Sequence, residues 1–131
     1  MKVNIYLPDD LGARAKADGL PLSQMLQQAV RDYYQEAQAM ATTLSSAREI
    51  ILDLADDNGG RYKGRFTGTP IGSDDRRSVY LLEDGRVLLY DEDNLSYHDI
   101  SDNVEQELEA LERSAYIDAM TALGLEPVVD L

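Results

Sequence analysis

KVNIYLP, residues 2–8, alternates apolar and polar side chains along its whole length, the period-2 pattern of a half-buried β-strand. On this reading Val3, Ile5 and Leu7 face a core, and Lys2, Asn4 and Tyr6 face out. Pro8, Asp9 and Asp10 then open a short helix, because proline fits the first helical position and carboxylates favour the positive end of the helix dipole. That helix runs through Leu11 and Ala15 to Gly19. Past Leu20 and Pro21 a second helix carries Leu22, Met25, Leu26, Ala29, Val30 and Tyr33 in one apolar stripe. The order is therefore strand, helix, helix.

A single strand of this length cannot satisfy its own backbone donors and acceptors, and the stripe on the second helix needs a cover. A second copy of the chain supplies both. The expected dimer core is Val3, Ile5, Leu7, Met25, Leu26, Ala29, Val30 and Tyr33.

Taken from Lys2 to Tyr34, this order resembles the ribbon-helix-helix family of DNA-binding proteins, in which two chains pair their N-terminal strands into an antiparallel ribbon that enters the major groove. The resemblance implies that Lys2, Asn4 and Tyr6 read the bases of double-stranded DNA. Lysine can donate to guanine O6 and N7, asparagine can pair bidentately with adenine, and tyrosine offers one hydroxyl. The resemblance also implies a phosphate anchor on the N–H groups that open the second helix. Pro21 has no N–H, so Leu22 and Ser23 supply those donors.

The chain has 131 residues, a net charge of −13 and no cysteine. Beyond the first 35 or so residues there is room for a second core. Disulfides and thiolate metal sites are excluded, which suits a reducing cytoplasm. No signal-peptide core stands at the N-terminus and no stretch approaches the ~20 apolar residues of a membrane span, so the expectation is a cytoplasmic protein with no membrane partner. Residues 1–35 hold four basic and four acidic side chains, whereas residues 36–131 hold eight basic and 21 acidic ones. Because phosphate attraction normally supplies much of the affinity for DNA, that acidic body is expected to point away from it.

From Gln35 to Ala47 there is no Gly or Pro, and Ala37, Met40, Ala41 and Leu44 keep a helical spacing, so the second helix is expected to run on for some turns or to yield to a short linker near Thr42–Ser46, where β-branched and hydroxyl residues weaken it. REIILD at 48–53 reads as a strand, and DDNGG at 56–60 as a turn. In RYKGRFTGTP, 61–70, alternation puts Arg61, Lys63 and Arg65 on one face. With Arg76 and Arg77 they are the cationic cluster of an acidic region. They are a candidate face for a small anionic effector or a protein partner, or else an exposed face neutralised by nearby carboxylates. Ser78 to Tyr90 reads as a hairpin whose Asp84-Gly85 suits a two-residue type I′ turn, with strands apolar on both faces.

The loop DEDNLSYHD, 91–99, lacks the glycine and closing glutamate of a calcium loop. His98 is the one histidine, and no nucleophile–base pair stands out, so no metal, cofactor or enzymatic activity is expected. Asp102 and Glu105 have capping-box spacing and open a helix that buries Val104, Leu108, Leu111, Ala115 and Ala119 and ends at Gly124. The tail, Glu126–Leu131, is expected to dock as an edge strand.

The series REIILDL, RFTG, DGRVLLY, an acidic terminal helix and a closing EPVVDL is similar to the EXLDI family of bacterial proteins, named for a C-terminal Glu-x-Leu-Asp-Ile motif. Some members of that family begin with a ribbon-helix-helix segment. In fold class the whole sequence reads as α+β: an N-terminal ribbon-helix-helix with its dimeric two-stranded ribbon over residues 1–47, then an acidic domain over 48–131 made of a small antiparallel sheet and a C-terminal amphipathic helix. In function it reads as a homodimeric transcriptional regulator, a repressor that binds operator DNA. The alternatives are an antitoxin whose N-terminus autoregulates its operon, and a dimeric interaction module without DNA.

Overall fold

The computed structural model describes residues 22–131, and side chains from Gln24 onward. The chain divides into two compact units, residues 1–37 and 38–131. Of the first unit the described part is helical. Helix α1, Leu22–Leu44, ends where Ser45 and Ser46 turn the chain, each hydroxyl donating to the backbone carbonyl three residues earlier.

In the second unit five strands follow in simple antiparallel order: β1 (Arg48–Ala55), β2 (Arg61–Ser73), β3 (Arg77–Leu82), β4 (Val87–Asp91) and β5 (Ser96–Asp99). The 13-residue β2 is the reason the sheet curls. Its first half pairs with β1 and its second half with β3, and Gly68 belongs to both ladders, opposite Arg48 and Leu82. A Cβ at Gly68 would lie 2.5 Å from the Leu81 carbonyl oxygen, so only glycine lets the strands approach this closely. The register then slips between Pro70 and Gly72, and a bulge there bends the strand. The curl brings the far ends of the sheet together: the Ala55 N–H donates to the Leu95 carbonyl at 2.9 Å, and the Tyr90 hydroxyl to the Asp53 carbonyl at 2.6 Å.

Two helices cover the convex face, α2 (Val104–Glu109) after a 3-10 turn at Ser101–Asn103, and α3 (Arg113–Ala122). Ile71, Val79, Leu81, Val87 and Leu89 of the sheet pack there against Leu108, Leu111, Ala115, Ala119 and Met120. Met40 and Leu44, at the end of α1, pack on the same core. Thr43 ties them in: its hydroxyl donates to the Ala122 carbonyl at 2.8 Å, and its carbonyl accepts from the Thr69 hydroxyl at 3.2 Å. Among the described residues no helix is long and apolar enough to cross a membrane.

The expected fold class is corrected on its architecture. The chain is α+β, but in place of a ribbon-helix-helix with a two-stranded ribbon ahead of a small sheet, the structure is a helix followed by a five-stranded antiparallel half-barrel. The expected strand at 2–8 and the helix ending at Gly19 lie outside the described residues. Three local expectations also change. The terminal helix is two helices, interrupted at Ala110–Glu112, and neither Asn103 at the head of α2 nor Glu112 at the head of α3 makes a side-chain cap. The 84–85 turn is not type I′, which needs positive φ at both central residues, because Gly85 alone has it (φ 92°). Residues 125–131 form no strand; the Val128 N–H instead donates to the Tyr116 hydroxyl.

Candidate functional site

The expected base-reading residues, Lys2, Asn4 and Tyr6, and the dimer-core residues Val3, Ile5 and Leu7 lie outside the described residues. The expected phosphate-anchor residues, Leu22 and Ser23, are the first two described residues of α1, and their side chains lie outside the described ones.

Further along α1, Met25, Leu26 and Val30 are half-buried, and Ala29 and Tyr33 are exposed. Leu26 and Val30 line a shallow depression with Gln27 and Arg31. The Tyr33 and Tyr34 rings meet edge to face at 5.6 Å, both more than 40% exposed. One turn earlier Gln28 donates to Asp32 at 2.8 Å and holds the polar side of the helix. An apolar stripe with two exposed tyrosines is a surface that gains free energy when a partner covers it.

Arg61, Lys63 and Arg65 stand on one face of β2, opposite Ala55, Asp53 and Ile51 in register. Lys63 pairs with Asp53 at 2.8 Å, both about two-thirds exposed. The Lys63 ammonium, first by its hydrogen bond and then by its charge, holds the Asp53 carboxyl below the usual range, and Asp53 in turn raises Lys63. An ion pair this wet adds little stability. Arg61 and Arg65 are exposed and form no ion pair among the described residues, and Ile51 beside them is 55% exposed.

Arg77 does not join that face. Its guanidinium donates to Asp74 through Nη2 at 2.9 Å and Nε at 3.2 Å, and Nη2 also donates to the Ala110 carbonyl at 2.8 Å. The Asp74 side chain is 3% exposed and also accepts the Arg77 N–H at 2.8 Å and the Arg76 N–H at 3.2 Å. This staple was not read from the sequence. Its available signal was Asp74 and Arg77 three apart in a segment, Gly72–Arg77, short enough to be a tight turn. No group of three or more His, Cys, Asp or Glu side chains among the described residues could hold a metal ion. His98 is exposed on β5.

No family model, curated protein or solved structure matches this chain.

Proposed function

We propose that this protein is a homodimeric, sequence-specific regulator of transcription in the cytoplasm, a repressor whose residues 1–37 bind operator DNA. The observation that carries the reading is α1, which exposes Tyr33 and Tyr34 beside a half-buried apolar stripe, a face for a second copy of the chain, within the segment 2–34 whose sequence is like that of a DNA-binding family. Charge supports the same division of labour. Residues 1–37 hold four basic and five acidic side chains, against eight and 20 in residues 38–131, a net −12. A body so acidic is repelled by a polyanion within a Debye length, about 10 Å at 0.1 M salt, so the contact falls to the first unit. Lys2, Asn4 and Tyr6 carry the base reading and Leu22 and Ser23 the phosphate contact.

The well-packed core of residues 38–131 argues against an antitoxin, whose partner-binding tail is commonly disordered until bound. Electrophoretic mobility shift of the full chain on its own promoter is the test. The expected result is a discrete complex that survives competitor DNA, and loss of about 1–3 kcal/mol of discrimination with Asn4→Ala. Equal affinity for promoter and random DNA, or a stable monomer by sedimentation at micromolar concentration, overturns the reading.

A further inference from the structure

The concave face of the half-barrel is apolar, and among the described residues no helix packs over it. Leu52 and Leu54 of β1 and Leu88 of β4 form its floor, each less than a tenth exposed. On β2, Tyr62, Gly64 and Phe66 share this face, opposite Leu54, Leu52 and Ile50 in register. Leu54 Cδ1 packs against the Gly64 backbone, 2.8 Å from where a Cβ would stand, so a side chain at position 64 would drive Leu54 out of its place on this face. Tyr62, Phe66 and Tyr97, the last from the opposite edge strand, line a cavity of about 200 Å³ beside these leucines. That is smaller than the roughly 300–1,000 Å³ that hold drug-sized ligands, so the space suits a compact molecule. Aromatic walls over a leucine floor favour a flat ring, which gains edge or offset contacts beyond its buried area.

The charge at the mouth narrows the class. In a unit with 20 acidic and eight basic side chains, the lining of this cavity includes Arg86 and no carboxylate. Arg86 precedes β4 on the same side of the pleat as Leu88, and its Nε donates to Asp84 at 2.8 Å, which leaves the two Nη groups for another acceptor. Asp99, opposite Leu88 in register, is engaged by the Ser101 N–H and hydroxyl.

We propose that this cavity binds a compact aromatic carboxylate. The ring lies over Leu52, Leu54 and Leu88 against Tyr62, Phe66 and Tyr97, and the carboxylate accepts from the Nη groups of Arg86, a charge-assisted pair. The site belongs to residues 38–131, and its test uses no DNA, so its failure and that of the regulatory reading are separate results.

The test is a titration of the ¹⁵N-labelled full chain with benzoate, and with benzamide as the neutral isostere, followed by amide chemical shifts. Benzoate is expected to give saturable shifts centred on Gly64, Arg65, Leu88 and Tyr97 with a Kd of about 1 mM or tighter. Benzamide should bind at least about tenfold more weakly, the loss of one charge-assisted contact. Arg86→Gln, at an exposed position, should retain the dispersed spectrum and bring benzoate down to the benzamide level. Gly64→Ala should abolish both, and if that variant loses its fold, Tyr97→Ala at the exposed edge should weaken both ligands. Absence of saturable shifts, equal affinity for the two ligands, or shifts centred elsewhere overturns the proposal.

Discussion

Asp74 offers the most direct test of what holds the second unit together. The side chain sits in the β2–β3 connection, where its carboxylate meets two backbone N–H groups and the Arg77 guanidinium, and the Glu112 N–H approaches at 3.5 Å. Removing one partner of a buried ion pair costs about 3–5 kcal/mol, chiefly because the other charge stays buried and unpaired. Here the Arg77 side chain is 20% exposed, so it can rehydrate in part, and the low end of that range applies: about 3 kcal/mol for Asp74→Ala. Asp74→Asn keeps an acceptor for the turn but gives up the charge, and should cost about 1.5–3 kcal/mol, the worth of a hydrogen bond to a charged group.

Urea unfolding of the full chain followed by circular dichroism reads these differences as a fall in midpoint at constant slope. The pH dependence gives a second, independent reading. Burial alone would raise the Asp74 pKa, but the N–H groups of Arg76 and Arg77, followed by the Arg77 guanidinium, outweigh it and hold the carboxyl below its ordinary 3.8. A depressed folded-state pKa contributes stability that is fully present above the unfolded value and lost as pH falls through the folded one. The deficit of Asp74→Ala should therefore be complete at neutral pH and narrow once pH drops below the ordinary carboxylate range. A loss under about 1 kcal/mol at pH 7, or a deficit that stays constant down to about pH 2, would refute the assignment of this staple.

Two further substitutions probe the sheet. Tyr90→Phe deletes the hydroxyl that joins β4 to the Asp53 carbonyl and should lower stability by about 1 kcal/mol, measured in the same urea assay. Gly72→Ala would put a Cβ 2.7 Å from the Ala115 carbonyl oxygen, where α3 rests on β2, and should cost about 1–3 kcal/mol by forcing the helix outward, with a lowered melting temperature as the readout.

What the sequence made legible in this fold is what short-range pattern can carry. The strand expected at Arg48–Asp53 is the body of β1 because its two isoleucines are β-formers and a turn cluster follows, and Ser78–Tyr90 is a hairpin because two apolar runs flank Asp84-Gly85. The turn differs from the expected type I′: the Leu82 N–H donates to the Arg86 carbonyl and the Gly85 N–H to the Leu82 carbonyl, so three residues, Glu83 to Gly85, bridge the strands, with glycine taking the left-handed position alone. Arg61, Lys63 and Arg65 were placed on one face by alternation, and the register sets them there. Alternation could not show that the opposite face of the same strand, through Gly64, lines a cavity, because the cavity needs Leu88 and Tyr97, 24 and 33 residues further on.

The interrupted terminal helix makes the same point about range. Leu108, Leu111, Ala115 and Ala119 are all buried, as helical spacing required, yet Leu111 sits in the break and not in a helix. A spacing of three then four residues is kept whether the chain is continuous helix or two helices joined by a short corner, so periodicity cannot tell them apart. What selects the corner is remote: the Ala110 carbonyl accepts from Arg77, 33 residues earlier, and the Glu112 N–H points at Asp74, 38 residues earlier. Both groups are among those a helix end leaves unpaired, and the sheet supplies their partners. Loss of Asp74 therefore acts at two places. It loosens the β2–β3 connection, and it removes a reason for α2 and α3 to part, so amide exchange in Asp74→Ala should rise at Ala110–Arg113 as well as at Asp74–Arg77.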